Sequence, residues 1–98
     1  MLHHIVMFKF RDDVSEDARR AAREAFKKGI EALPAVIPTI RSVYVGFNAN
    51  PAERWDICLT STFDNLEDAK AYGAHPAHRA VASELMKLVG ERACTDFE

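Results

Sequence analysis

Cysteine is scarce in this 98-residue chain: Cys58 and Cys94 stand far apart, with the close spacing of neither a metal knuckle nor a redox pair. Two isolated cysteines suit reduced core residues of a cytosolic protein better than a disulfide framework. An excess of charge is also missing. Thirteen Lys and Arg against fifteen Asp and Glu, well mixed, leave a formal net charge of -2, so no basic stripe offers itself to nucleic acid or to an anionic membrane. The apolar run from Leu2 to Phe8 is too short to span a bilayer, and its basic residues follow it, the wrong side for a signal peptide. A cytoplasmic protein is expected. No internal repeat or linker divides the chain, which reads as a single domain over residues 1–98.

What is present is enough apolar material for one small core. At 48% hydrophobic residues, a chain of this size buries roughly 60 to 65% of its unfolded surface. His3–Phe10 reads as a strand, with His4, Val6, Phe8 and Phe10 on one face and His3, Ile5, Met7 and Lys9 on the other. Both faces carry apolar groups, so both need covering. Ser15 is placed to cap a helix whose buried stripe, Ala18, Ala21, Ala22, Ala25, Phe26, Gly29, Ile30 and Leu33, is mostly small. Such a stripe serves either close packing or room for a ligand. Beyond Pro34 and Pro38, Thr39–Phe47 and Arg54–Phe63 read as two antiparallel strands joined by a turn-rich loop.

Asp64 or Asn65 caps a short helix with the stripe Leu66, Ala69 and Tyr72, and Gly73 reads as its terminator. Pro76 opens the next helix, which the apolar spacing carries to Val89 with Gly90 as its stop. Arg92–Phe97 closes the chain as a last strand. The order strand, helix, strand, strand, helix, strand is that of an α+β, ferredoxin-like fold: a four-stranded antiparallel sheet with helices on one face. Ile5, Met7 and Tyr44 remain on the other face, so a homodimer through the sheet face opposite the helices is expected.

Reactive groups gather only in Tyr72-Gly73-Ala74-His75-Pro76-Ala77-His78. His75 is placed to cap the helix that Pro76 starts, and His78 falls on its inward stripe. Near the positive end of the helix dipole and partly desolvated, His78 is expected to be neutral, as a general base must be. Tyr72 is placed to stabilise an oxyanion. Alternatively, Tyr72 is a packing aromatic, His75 only a cap and His78 a satisfied polar residue. The pocket that these residues would serve has His4, Val6, Phe8, Val43, Ile57 and Leu59 on its sheet side and His75, Val81 and Leu85 among its helical lining. No metal is expected: His75 and His78 are separated by Pro76, and His3 and His4 point to opposite faces.

The opening His4-Ile5-Val6-Met7-Phe8-Lys9-Phe10, Gly46 after a short strand, Tyr72-x-x-His75-Pro76-x-His78 and the final Asp96-Phe97 resemble the stress-responsive dimeric α/β-barrel (Dabb) family over nearly the whole chain. The resemblance implies a ferredoxin-like protomer that pairs sheet to sheet into a barrel, with a pocket between helices and sheet. It also implies a likeness to plant polyketide cyclases, cofactor-free enzymes in which a Tyr and a His match Tyr72 and His78 and a strand-one His matches His4. Ile57 stands where those cyclases carry a third-strand His, and Leu88 and Val89 replace large aromatic groups, so a different substrate is expected. The reading is a cofactor-independent cyclase or lyase acting on a polyketide-like or small carbonyl compound. Its alternatives are a non-catalytic stress-response module that binds a small apolar ligand, and a cofactor-free monooxygenase.

Overall fold

A computed structural model describes residues 1–98. The elements are β1 (Leu2–Phe10), α1 (Glu16–Glu31), a 3₁₀ turn (Leu33–Ala35), β2 (Ser42–Phe47), β3 (Ile57–Phe63), α2 (Leu66–Ala74), α3 (Pro76–Met86) and β4 (Val89–Phe97). The strands form one antiparallel sheet in the order β2-β3-β1-β4. This is the expected ferredoxin-like fold. No helix is long and apolar enough to cross a membrane.

Helix boundaries follow their capping chemistry. Ser15 accepts from the Ala18 N–H at 3.2 Å and Asn65 from the Asp68 N–H at 2.8 Å, which satisfies amides that each helix start would otherwise leave unpaired. Gly73 does not terminate α2, which runs on to Ala74; the break comes at His75, held extended by the proline that follows it. Leu66, assigned to the buried stripe, is exposed.

The last helix is shorter than its apolar spacing indicates. It ends at Met86, and Val89 pairs with Phe10 as the first residue of β4, three residues before the expected strand start. Strand pairing wins there because Arg11 N–H donates to the Leu88 carbonyl at 3.0 Å, which draws the chain into the sheet. Gly90 is a close-approach residue rather than a helix stop: a Cβ built on it would lie 3.4 Å from the Arg11 Cα. β2 and β3 begin later than expected, at Ser42 and Ile57. Before β3, the Asp56 carboxylate accepts the Phe10 N–H at 2.8 Å, in place of a ladder partner.

The core lies between the sheet and the helices, where Val6, Phe8, Phe10, Val45, Ile57, Leu59 and Phe63 meet Phe26, Ile30, Tyr72 and Leu85. Of the small residues of α1, Gly29 meets α3 closely, whereas Ala21 and Ala25, assigned to the buried stripe, are exposed beside a groove between the two helices. A Cβ on Gly29 would stand 2.8 Å from Val81 Cγ1, closer than nonbonded carbons approach. Gly29→Ala is therefore expected to destabilise the fold by about 1 to 3 kcal/mol through overpacking, more than the roughly 1 kcal/mol that helix propensity returns. Urea denaturation checks this, with Val81→Ala added to restore most of the loss; a higher midpoint for Gly29→Ala alone would contradict it.

The two sheet edges differ. At β2, the Glu31 carboxylate accepts the Val45 N–H at 2.9 Å while Lys27 Nζ donates to the Val45 carbonyl at 2.7 Å, so side chains of α1 occupy the outward hydrogen-bonding groups of Val45. Lys27 also lies 3.9 Å from the centroid of the Tyr44 ring. β4 has no such cover, and its residues are largely exposed. On the face away from the helices, Ile5 and Met7 are half-buried, Tyr44 is 61% exposed and Phe97 49% exposed. A hollow of about 320 Å³, bordered by Met7, Gly46, Trp55 and Cys58, opens on that side.

Candidate functional site

Sheet register sets the floor of the site. On the helix-facing side, His4 sits between Ser61 and Asp96, Val6 between Leu59 and Cys94, and Phe8 between Ile57 and Arg92. The roof comes from the break between α2 and α3. His75 Nδ1 accepts the Ala77 N–H at 3.0 Å, so the histidine is the cap that its place before Pro76 indicates. The bend brings the last turn of α2 against the first turn of α3, and the Tyr72 and His78 rings lie 4.4 Å apart between centroids.

Each reactive side chain is oriented by a definite partner or by none. His78 Nδ1 donates to the Gly73 carbonyl at 3.1 Å, which leaves Nε2 as the acceptor nitrogen. Burial lowers the His78 pKa below the ordinary imidazole value; the Gly73 hydrogen bond opposes this, and the charges of His4, Arg92 and His75 reinforce it. Neutral imidazole with a free Nε2 can accept a proton. The Tyr72 ring is flanked by Phe63 at 5.2 Å and His4 at 6.2 Å between centroids, and the residue is 1% exposed. Its hydroxyl is buried without a hydrogen-bond partner, and burial pushes its pKa up to about 12. It therefore stays protonated, a donor with nothing to donate to. His4 Nδ1 lies 2.5 Å from Asp96 Oδ1, an imidazole held by a carboxylate.

His4 and His78 border a cavity of about 260 Å³. His4, Val6 and Phe8 of β1, Leu59 of β3, Ala69 and Gly73 of α2, and His78, Ala82 and Met86 of α3 line it, with Phe26 and Arg92 completing the wall. The remaining residues assigned to the pocket lie elsewhere. Val43 and Ile57 pack in or against the core, Val81 meets Gly29, and Leu85 faces a separate groove of about 440 Å³ between α1 and α3. That groove is larger, yet Glu84 is its one polar side chain and no donors converge there. His75 is taken up in capping, and Tyr72 stands behind the lining rather than in it.

Sequence reading missed Ala69, Gly73, Ala82 and Met86 of the helices as lining residues, and with them Phe26, Arg92 and, as the partner of His4, Asp96. The last two were open to the alternation of β4, in which positions 92, 94 and 96 share a face. Carrying the helix to Val89 hid that strand's beginning, and its register against β1 is a long-range property. Cys94, read as a core residue, is exposed and lies 3.8 Å from His4 Nδ1.

The family model described as the Stress Responsive A/B Barrel Domain matches residues 2–98. Olivetolic acid cyclase of Cannabis sativa is 32% identical over 78 residues, 76% of this chain and 73% of that one. Among solved structures, a dimeric protein of unknown function with a ferredoxin-like fold from Bacteroides fragilis superposes with a TM-score of 0.97 at 48% identity, covering 99% of this chain and 94% of that one. A dimeric ferredoxin-like protein of unknown function from Thermobifida fusca gives 0.79 at 27% identity, covering 98% and 88%.

Proposed function

The chain belongs to the stress-responsive A/B barrel (Dabb) family, and from that premise we propose that it is a homodimer whose cavity performs cofactor-independent cyclase- or lyase-type chemistry on a polyketide-like or small carbonyl compound. The observation that carries this reading is the pairing of a neutral, oriented His78 with a buried Tyr72 hydroxyl that has no partner. A native protein rarely leaves such a donor unpaired, because doing so costs about 1 to 3 kcal/mol. A substrate carbonyl supplies the missing acceptor once the lining in front of the hydroxyl moves aside, since Tyr72 stands behind that lining.

In this mechanism His78 Nε2 removes the proton next to a substrate carbonyl, and the Tyr72 O–H hydrogen-bonds the oxygen on which charge develops. The resulting enolate carbon attacks a second carbonyl of the same molecule, forming a C–C bond, and the proton on His78 returns to the new alkoxide. His4, braced by Asp96, orients the substrate at the sheet side. The guanidinium of Arg92 suits an acidic end of the molecule. The name of the Cannabis relative, a cyclase, supports the cyclase reading. The two dimeric neighbours support pairing, for which the apolar outer sheet face is the proposed surface.

His78→Ala is expected to lower kcat on a carbonyl substrate about 10²-fold while leaving KM nearly unchanged. The wild-type rate should fall on the acid side only. Protonated His78 cannot accept a proton, and its lowered pKa moves that limb below the ordinary 6.5, so activity persists to more acid pH than free imidazole would allow. A second reading, a module that only holds a small apolar ligand, is favoured by the full coverage of the Tyr72 hydroxyl. In that case His78→Ala weakens ligand affinity, and no turnover is found for any carbonyl compound.

A further inference from the structure

Three donor atoms converge where β1 meets β4. His4 Nδ1, Cys94 Sγ and an Asp96 carboxylate oxygen all lie within 4.8 Å of one another. Asp96 Oδ1 is 2.5 Å and Cys94 Sγ 3.8 Å from the His4 nitrogen. Register accounts for the cluster: Asp96 pairs directly with His4 and Cys94 with Val6, so alternate residues of β4 reach His4 from the helix-facing side. Both approach the same ring nitrogen. A Cys-His-Asp proton relay needs two different nitrogens, one for the thiol proton and the other for the carboxylate. Donors aimed at a single point make a chelate instead.

We infer that His4, Cys94 and Asp96 bind a divalent cation of the zinc class beside the cavity that His4 borders. Imidazole, thiolate and carboxylate together are a donor set that zinc accepts, whereas calcium and magnesium take oxygen ligands. The two anionic ligands balance the charge of the ion. Bonds of about 2.0 to 2.3 Å at a four-coordinate ion set donor pairs roughly 3.3 to 3.7 Å apart. The nitrogen–sulfur separation of 3.8 Å is already close to that. The nitrogen–oxygen separation of 2.5 Å must open, by roughly 1 Å on the same geometry, and the exposed Asp96 side chain has space to do so. The His4–Asp96 hydrogen bond thus holds two of the ligands together before the ion enters. Three protein ligands leave a fourth position for water or another small donor. Cys58 pairs with Met7 on the opposite sheet face, so it does not contribute a second thiolate. Neither Tyr72 nor His78 takes part, but His4 does, so an ion bound here takes over the histidine that otherwise orients the substrate.

The test is cobalt(II) titration of the full chain after chelator treatment, followed by zinc competition against a chromogenic chelator. One equivalent per chain is expected, with visible bands of four-coordinate cobalt and a near-ultraviolet thiolate charge-transfer band. Cys94→Ser should remove that band. It and Asp96→Asn should each weaken zinc binding by about 100-fold or more, since loss even of an outer-shell partner weakens a site by roughly 10- to 100-fold. Both positions are exposed, and circular dichroism confirms that the variants fold. A variant-free measurement runs alongside: zinc should slow alkylation of Cys94 and leave that of Cys58 unchanged. No cobalt uptake, uptake without the thiolate band, equal alkylation rates, or binding lost in His75→Ala while Cys94→Ser keeps it would each overturn the assignment.

Discussion

Tyr72→Phe is expected to make the protein more stable and, on its carbonyl substrate, nearly inactive. The two effects come from one atom. The hydroxyl is buried without a partner, and removing it relieves a desolvation penalty of about 1 to 3 kcal/mol while the ring and its contacts with Phe63 and His78 remain. If the same O–H is the donor to the developing oxyanion, its loss lowers kcat by about 10²- to 10³-fold. Denaturant unfolding and steady-state kinetics on the same preparation give both answers. A loss of stability would mean that the hydroxyl is satisfied in the folded protein, and unchanged kcat would remove Tyr72 from the mechanism. A substitution that strengthens the fold and disables the site marks a position kept for function.

Ile5→Glu is expected to convert the proposed dimer to a folded monomer. Ile5 lies on the sheet face away from the helices, beside Met7 and on the same face as the exposed Tyr44 two strands away. A two-fold interface buries each residue twice; Ile5 is already half-buried in the protomer, so losing one isoleucine from each copy removes about 1.5 to 3 kcal/mol, roughly 10- to 10²-fold in the dissociation constant, before the cost of burying two carboxylates is added. Sedimentation velocity across a concentration series measures this, with circular dichroism to show that the protomer persists. A dimer of unchanged affinity would place the interface on another surface.

Much of the fold was legible because local signals agreed. Ser15, Asn65 and His75 with Pro76 announce three helix starts through capping chemistry, and the alternation in β1 announces a strand wanted on both faces. Ends were harder. Leu88 and Val89 continue a helical spacing, but whether they stay helical is decided by Phe10 and Arg11, nearly eighty positions earlier. The site divides in the same way. Tyr72 and His78 lie six residues apart across a proline, and their contact follows from the bend between two helices. Asp96 against His4, Arg92 in the wall and the displacement of Ile57, Val43, Val81 and Leu85 from the cavity depend on register and on helix rotation. Neither is written in any short stretch.

One edge of the sheet is blocked at its middle, where Lys27 and Glu31 take the outward groups of Val45, and the other is open along β4. In the language of polymerisation, each protomer is therefore monovalent for strand addition. Two copies that met edge to edge through β4 would present only blocked edges outward, and growth would stop at the pair. Neutralising the clamp, with Lys27 and Glu31 both replaced by alanine, raises that valence to two, the minimum from which a continuous fibre can be built.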